Sequence, residues 1–217
     1  MKKFLKIMLL IILIIFIIII IHTLRNLIII NNLKNRIKPY SESTNYSVHS
    51  VNISNNTNSK MDIMTYKKNE KFVRIYKRIS NEVVATVSEY YDGKTTTRYT
   101  DSSSGKVVST NENTMMPNIT SSFELENTLL LSFLYKIRST EYNGKDCYVV
   151  NYFIGETDSI YIEKDTGLCI KSISSDMVNE MEYKFDNVDD SIFIEPDASK
   201  YLTEEQAMEK YLLKKDI

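Results

Sequence analysis

Residues 71–108 read KFVRIYKRISNEVVATVSEYYDGKTTTRYTDSSSGKVV, and most of this stretch alternates with a period of two. Its first part separates into two sets, aliphatic Val73, Ile75 and Ile79 on one side and Phe72, Arg74, Tyr76 and Arg78 on the other. Successive side chains of a strand point to opposite faces of a sheet, so this alternation predicts β-strands. The pattern runs over residues 45–110 and predicts about six strands in an antiparallel meander.

Two turn signals divide these strands. Asp92-Gly93 is a pair that supplies the positive φ of a tight hairpin turn. Residues 102–105, which read SSSG, predict a second hairpin turn because serine and glycine favour turn geometry.

The later part of the chain mixes helical and extended patterns. Apolar residues recur at helical spacing over 123–138, which predicts an amphipathic helix capped by Ser121 or Ser122. Thr203–Lys214 is predicted as a closing helix with Thr203 as its N-cap. Further strands are predicted over 147–154, 159–164, 168–174 and 179–185, with turns at Asn143-Gly144 and Thr166-Gly167.

These elements predict a mostly β fold with helices, of the α+β class. A twisted sheet of about ten strands tends to curl or close, and a helix with one apolar face needs a surface to cover. We therefore expect a curved antiparallel sheet, or half-open β-barrel, whose concave face is lined by the inserted helix 123–138. One N-terminal transmembrane helix precedes it.

The N-terminal segment is strongly apolar. Ile7–Ile21 is an unbroken apolar run that a few flanking residues extend, with Lys6 reaching toward the headgroups. A cleaved secretory signal has an apolar core of similar length, but the first alanine is Ala85 and the first glycine is Gly93, so small residues for cleavage are missing after the run. We favour an uncleaved signal-anchor.

The topology that follows places the body outside the cell. Basic residues flank the run on both sides, so their distribution alone does not choose an orientation. The three residues before Phe4 are too few to form a domain, and we expect the N-terminus inside. Residues 1–38 are then the anchor and juxtamembrane segment, and 39–217 the extracytoplasmic β domain. Residues 24–37 either lie along the headgroups as an interfacial helix or extend the anchor.

The charge distribution excludes one class of partner. All 28 acidic residues lie after residue 38, against 20 of the 27 basic ones, so the predicted body is net negative. A nucleic-acid binder needs a basic face to neutralise phosphates. We therefore expect no nucleic-acid partner.

Two cysteines are a candidate disulfide. Cys147 and Cys169 both fall in the predicted exported body, where paired cysteines are often bridged. The predicted strand 159–164 lies between their strands, and next-but-one strands are about 9–10 Å apart, beyond the range of a disulfide unless the strand order or register differs. Both a bridge and two buried thiols stay open.

Other reactive residues give little sign of chemistry. The two histidines, His22 and His49, are far apart in sequence and form no cluster with metal-ligand spacing. The acids Asp189, Asp190 and Glu195 lack a predicted cleft that would divide acid and base roles between them. We expect no catalytic, metal or cofactor site and no enzyme activity. The tyrosines of the predicted strands suit either a half-buried sheet face or a protein-binding surface, and the ligand or partner surface is unknown.

The segments around the turns resemble a known family. The hairpin closed by Asp92-Gly93-Lys94 and the block YIEKDTG at 161–167 are its most specific parts. Over roughly residues 44–197 the chain resembles the lipoprotein-carrier superfamily, the LolA, LolB and RseB type of fold, in its Gram-positive branch. It is also similar to clostridial germination proteins of the GerS type, which partner a cell-wall amidase and are typically lipoproteins, whereas no lipidation cysteine follows the apolar run here.

The resemblance implies a non-catalytic module with a concave apolar face. The first hypothesis is a membrane-anchored extracytoplasmic binding module that docks onto or regulates a cell-envelope enzyme or assembly, such as a cell-wall amidase in sporulation or germination. The alternative is a lipid or lipoprotein acyl-chain carrier that uses the concave face. An unrecognised hydrolase is the third hypothesis.

Overall fold

The computed structural model describes residues 2–57, 59–80, 83–112, 129–152 and 158–213. Their helices are α1 (Lys2–Ser41), α2 (Leu129–Leu134) and α3 (Glu204–Leu213). Their strands are β1 (Asn45–Ser54), β2 (Lys60–Lys68), β3 (Lys71–Ser80), β4 (Val83–Tyr91), β5 (Thr96–Ser102), β6 (Gly105–Asn111), β7 (Tyr135–Tyr142), β8 (Lys145–Tyr152), β9 (Ser159–Glu163), β10 (Cys169–Ile173), β11 (Met177–Phe185) and β12 (Leu202–Thr203). The predicted fold class is confirmed, since the described residues are mostly β, in an open sheet of twelve strands with a few helices.

The chain divides into two compact units. Unit 1 comprises Met1–Ser41 and Thr120–Ser174, and therefore contains α1, α2 and β7 to β10. Unit 2 comprises Glu42–Ile119 and Ser175–Ile217, and contains the other strands and α3. The predicted boundary between an anchor that ends at residue 38 and one β domain stays a prediction.

Unit 2 contains the predicted meander. Its strands follow the order β11-β1-β2-β3-β4-β5-β6-β12, antiparallel except for the short parallel pair of β12 with β6. The predicted six strands are confirmed as β1 to β6. The predicted turn at Asp92-Gly93 is confirmed as well: Gly93 has a φ of +105°, and Asp92 Oδ1 accepts hydrogen bonds of 2.8 Å from the backbone N–H groups of Lys94 and Thr95.

The closing helix α3 begins as the sequence predicts. Thr203 Oγ1 accepts a hydrogen bond from the backbone N–H of Gln206 at 3.2 Å, and the Gln206 side chain accepts one from the Thr203 N–H at 3.0 Å. This reciprocal pair is a capping box, which satisfies N–H groups that have no partner inside the helix.

Unit 1 contains four antiparallel strands in the order β10-β9-β8-β7. The helix predicted over 123–138 needs correction at its end, because α2 ends at Leu134 and 135–138 belong to β7. In β7 the buried Tyr135 and Ile137 alternate with the exposed Lys136 and Arg138, which is the period of a strand. Residues 123–128 of the predicted helix lie outside the described residues.

The helix α1 is longer than the sequence predicts. The residue pattern predicts a short linker over 39–43, but Pro39 and the next two residues form the last turn of α1. A proline close to a helix end removes few intrahelical hydrogen bonds, so the helix tolerates it there. Residues 24–37 are part of the same continuous helix α1, and one face of this part is buried within unit 1.

Candidate functional site

The first half of α1 has the properties of a membrane span. It is the one helix among the described residues that is long and apolar enough to cross a membrane. The apolar side chains from Phe4 to Ile21 are all exposed to solvent in the isolated chain. A continuous apolar surface of this size on a helix needs another apolar environment, because leaving it in water is unfavourable.

The second half of α1 packs onto the sheet of unit 1. Ile29, Ile30 and Leu33 are buried, and Ile30 is fully so. They form one cluster with the strand residues Tyr135, Ile137, Val150 and Ile162, with Tyr148 and Ile160 packed against it. Burial of each such aliphatic side chain contributes roughly 1.5–3 kcal/mol. The same helix is therefore exposed and apolar over one half and part of the protein core over the other.

Polar side chains of α1 hold the junction between α2 and β7. Asn26 is fully buried, and its Nδ2 donates to the carbonyl oxygens of Ser132 at 2.9 Å and Tyr135 at 2.7 Å. His22 Nε2 lies 3.0 Å from the same Tyr135 oxygen, and Arg25 donates to the Ile137 oxygen at 3.4 Å. The last carbonyls of a helix lack intrahelical donors, so α1 supplies donors to the end of α2.

The other end of the docked half lies against the β9–β10 turn. Gly167 has a φ of +73°, and a Cβ atom there would lie 2.5 Å from the Leu33 carbonyl oxygen and 3.0 Å from the Ile37 nitrogen. Arg36 donates to the Lys164 carbonyl oxygen and lies 3.5 Å from Asp165 Oδ1. The predicted turn at Thr166-Gly167 is confirmed, and glycine lets the backbone of α1 approach it closely.

In unit 2, one face of the sheet is rich in arginine and aromatic residues. Residues that pair directly in neighbouring strands share a face. The register places Thr65, Arg74, Glu89 and Arg98 side by side on β2 to β5. We call this face the arginine face, and its charged and aromatic residues are Arg74, Arg78, Arg98, Lys67, Glu89, Tyr46, Phe72, Tyr76, Tyr91, Tyr183 and Phe185. Among its described residues, this face thus carries four basic side chains and one carboxylate.

A polar network fixes the centre of the arginine face. The Arg74 guanidinium lies 5.7 Å from the ring centre of Phe72 and 5.8 Å from that of Tyr76. It donates to the Tyr76 hydroxyl at 3.0 Å, which in turn donates to Glu89 at 3.0 Å. Burial raises the pKa of Tyr76, and the adjacent Arg74 opposes this. Cation–π contacts and hydrogen bonds hold Arg74 in place, whereas Arg78 and Arg98 are exposed.

Stacked rings rigidify one end of this face. Phe72 is fully buried and stacks on Tyr91 with ring centres 5.2 Å apart. Tyr46 is also buried and lies 6.3 Å from Phe185. A surface that is anchored by packed aromatic rings and presents arginine is typical of protein-binding patches.

The opposite face of this sheet is closed by the chain that follows β11. Tyr99 is buried and donates to Glu195 at 2.8 Å. Its ring contacts Tyr90 and Tyr201 edge-on, with centres 5.8 Å and 5.0 Å away. Burial raises the pKa of Tyr99 to about 12, and the hydrogen bond and charge of Glu195 act in the same direction.

We expect Tyr99→Phe to lower the free energy of unfolding by about 1 kcal/mol, because the variant leaves Glu195 without its hydroxyl donor. The folded-state pKa values of Tyr99 and Tyr46 are both about 12, above the unfolded value of 10.0. The stability that the folded protein gains from keeping these two hydroxyls protonated is therefore complete below pH 10. This part of the free energy of unfolding is lost as the pH rises from 10 to 12. In Tyr99→Phe this alkaline loss is smaller but still present.

Denaturant unfolding at a series of alkaline pH values measures both effects. Tyr66→Phe is the control, since among the described residues no hydrogen-bond partner of its hydroxyl is seen. An alkaline loss in Tyr99→Phe equal to that of the wild type would contradict the assignment to Tyr99.

The candidate disulfide is not formed in this structure. Cys147 and Cys169 are both buried, and no bond joins the two sulfurs. Cys147 pairs with Glu163 and Cys169 with Ile162, which are adjacent on β9 and point to opposite faces of the sheet. A bridge thus requires a register different from this one, and it stays a prediction that this geometry does not favour.

We expect both thiols to resist alkylation in the folded protein. Burial raises the pKa of Cys147, and it raises that of Cys169 to about 12, so few thiolates form at neutral pH. After denaturation without reductant, mass spectrometry should show an adduct on each thiol. A mass without adducts would establish the disulfide instead.

The remaining residues that the sequence marks as reactive have structural partners. His22 bonds the α2–β7 junction, and His49 lies 2.8 Å from Asp62. Asp189 caps a 3-10 turn through the Ser191 N–H, Asp190 pairs with Lys68 and Glu195 accepts from Tyr99. Among the described residues, no three His, Cys, Asp or Glu side chains are grouped so that they could hold a metal ion.

Sequence reasoning missed the arginine face as a surface, although its signal was present. The alternation in β3 already places Arg74 and Arg78 with Phe72 and Tyr76. Which strands extend that face, and hence that Arg98 and Glu89 lie beside Arg74, follows only from the register.

These features define a class: an open antiparallel β protein with an apolar N-terminal helix built into one of its units. A comparison with protein-family models gives no match, and no curated protein matches the chain.

Several solved structures are similar to the chain. An uncharacterized conserved protein from Thermus thermophilus has a TM-score of 0.48 at 10% identity, over 80% of this chain and 98% of that one. The MucA/MucB complex of Pseudomonas aeruginosa gives 0.33 at 12% identity, over 78% of this chain and 61% of that one. A putative outer-membrane lipoprotein-sorting protein domain from Vibrio parahaemolyticus has a TM-score of 0.30 at 11% identity, over 76% of this chain and 95% of that one.

Proposed function

We propose that this protein is a non-catalytic, membrane-anchored extracytoplasmic binding module that docks onto or regulates a cell-envelope enzyme or assembly. The observation that carries the proposal is the division of α1 into an exposed apolar half and a half buried in unit 1. A span that continues as core structure tethers the module close to the membrane. Tethering raises its effective concentration near other membrane-proximal proteins.

The proposed topology has the N-terminus inside and the β units outside. The sequence resemblance to the Gram-positive branch of the lipoprotein-carrier superfamily, and to germination proteins of the GerS type, supports an envelope location. A cell-wall amidase of sporulation or germination is the partner that this resemblance suggests.

The proposed docking surface is the arginine face. Arg78 and Arg98 are exposed there beside aromatic rings, and Glu89 is the acidic residue of the described face. Arginine and tyrosine are enriched at protein interfaces. A surface with this excess of positive charge fits a partner that presents acidic residues.

Crosslinking in living cells tests the proposal. We expect a photo-crosslinking residue at Thr100, on the arginine face, to capture a cell-envelope protein from the wild type. The double variant Arg78→Glu, Arg98→Glu should lose most of this product, because each reversed charge then repels an acidic partner. Lys60→Glu, Lys77→Glu is the matched control, since both lysines lie on the opposite face of the same strands and are exposed. Equal yields from the two double variants would contradict the docking surface.

The acyl-chain alternative meets one obstacle in unit 1. There the apolar face of the sheet is filled by Ile29, Ile30 and Leu33 of α1. In detergent, the fluorescence of added fatty-acid probes should therefore be the same with the full-length protein as in a control sample that contains detergent but no protein. Saturable binding would favour the carrier hypothesis.

A further inference from the structure

The level at which α1 leaves a bilayer can be read from helix geometry. A hydrocarbon core of about 30 Å spans about 20 helical residues at 1.5 Å each. Counted from Ile7, the first residue of the unbroken apolar run, this length ends near residue 26. The outer hydrocarbon boundary therefore falls close to Arg25 and Asn26.

Hydrogen bonds place the start of β7 at the same level. Asn26 donates to the carbonyl oxygens of Ser132 and Tyr135, and Arg25 donates to that of Ile137. These bonds are 2.7–3.4 Å long, so the backbone of 132–137 lies within a few ångströms of the α1 residues at the boundary. The headgroup region adds about 5–7 Å beyond the hydrocarbon on each side.

The side chains at this level have the composition of a membrane-surface site. Lys136 and Arg138 are exposed and lie on the face of β7 opposite to the residues that pack on α1. Phe133 is 39% exposed although it is a large apolar residue. Arg25 is exposed on α1 and donates to the backbone oxygen of Ile137, the residue between Lys136 and Arg138 in the chain. Among the described residues at this end of the unit 1 sheet, Asp158 is the acidic one, next to the Ser159 that starts β9.

We propose that Arg25, Lys136 and Arg138 bind the phosphate groups of anionic phospholipids where α1 leaves the bilayer, with Phe133 at the interface. The proposal rests on the membrane anchor of the proposed function and adds the lipid class that unit 1 recognises. Basic side chains near an anionic surface each contribute about 1 kcal/mol. Because α1 enters the core of unit 1 without a linker, the basic side chains are held at the level of the headgroups. With a flexible linker they would reach the headgroups only part of the time.

Lipid selection by the full-length protein tests this. The protein is reconstituted into nanodiscs of equal parts phosphatidylcholine and phosphatidylglycerol, partly delipidated with mild detergent, and the retained lipids are quantified by mass spectrometry. We expect phosphatidylglycerol to be enriched. In Lys136→Glu, Arg138→Glu the enrichment should fall by at least about fivefold, because the loss of either contact of about 1 kcal/mol alone corresponds to that factor and the variant removes two.

A matched double variant in unit 2 is the control. Lys60→Glu, Lys77→Glu makes the same charge change in unit 2 and should retain the wild-type enrichment, and circular dichroism checks that both variants fold. Retention of the enrichment by Lys136→Glu, Arg138→Glu, or an equal loss in the control, overturns the lipid site while the anchor stands. A wild-type chain that does not enter the disc overturns the anchor as well.

Discussion

The double variant Ile14→Asp, Ile18→Asp is expected to abolish membrane integration of the protein. Ile14 and Ile18 lie in the middle of the exposed apolar half of α1. A charged residue at the centre of a transmembrane helix costs about 2.5–3.5 kcal/mol on the insertion scale, so the pair costs roughly 6 kcal/mol. The double variant should appear in the supernatant after alkaline carbonate extraction, where the wild type stays in the membrane pellet.

A pair of changes further along the same helix provides the control. Asn32→Asp, Asn35→Asp adds the same two carboxylates at exposed positions of the docked half, beyond the proposed span. This control should pellet with the membranes like the wild type. If the Ile14 and Ile18 variant pelleted equally well under carbonate, the apolar half of α1 would not be what holds the protein to the membrane.

The variant Gly167→Ala is expected to push α1 away from the sheet of unit 1. The new Cβ would lie 2.5 Å from the Leu33 carbonyl oxygen, and backbone atoms cannot rotate away as a side chain can. The positive φ of +73° adds about 1–2 kcal/mol of strain for any residue with a Cβ. Together with the overpacking we expect a loss of about 3 kcal/mol, which lowers the melting temperature by roughly 6–12 °C for a chain of this size.

Gly144→Ala separates strain from crowding. Gly144 has a φ of +74°, nearly that of Gly167, but a Cβ there would meet nothing within 4 Å. This control should lose only about 1–2 kcal/mol. Thermal unfolding followed by circular dichroism compares the two, and equal melting temperatures would show that α1 does not lie against the β9–β10 turn.

Strands and turns are the part of the fold that local sequence predicts well. In β3 the alternation of Val73 and Ile75 with Arg74 and Tyr76 is unambiguous, because both faces carry distinctive residues. The turn at Asp92-Gly93 is set by chemistry within four residues, since Asp92 accepts from the N–H groups that follow it. Neither feature depends on distant parts of the chain.

The end of α2 and the role of α1 depend on tertiary contacts instead. Leu134 and Ile137 are three residues apart, which fits a helix, yet Tyr135 and Ile137 are two apart and form the buried face of β7. In α1, Asn26, Ile30 and Leu33 show helical spacing, which predicts a helix with one buried face. Periodicity does not say whether that face meets lipid or a sheet, and here it meets the sheet of unit 1.

The candidate surfaces were predictable only in part. The sequence identifies the tyrosines of the strands but not the arginine face, because membership of a face across strands needs the register. It also places Lys136 and Arg138 in a helix, whereas their place in a strand beside α1 depends on the hydrogen bonds of Asn26 and Arg25 to the start of β7. Long-range pairing is not encoded in any single segment.

Labelling of introduced cysteines on intact cells tests the topology most directly. Cys147 and Cys169 are buried, so a membrane-impermeant maleimide reports an added cysteine against a low background. We predict that Lys77→Cys, exposed on β3, is labelled before lysis, and that Lys3→Cys is labelled only after lysis. Labelling of Lys77→Cys only after lysis would contradict an anchored module whose β units lie outside the cell.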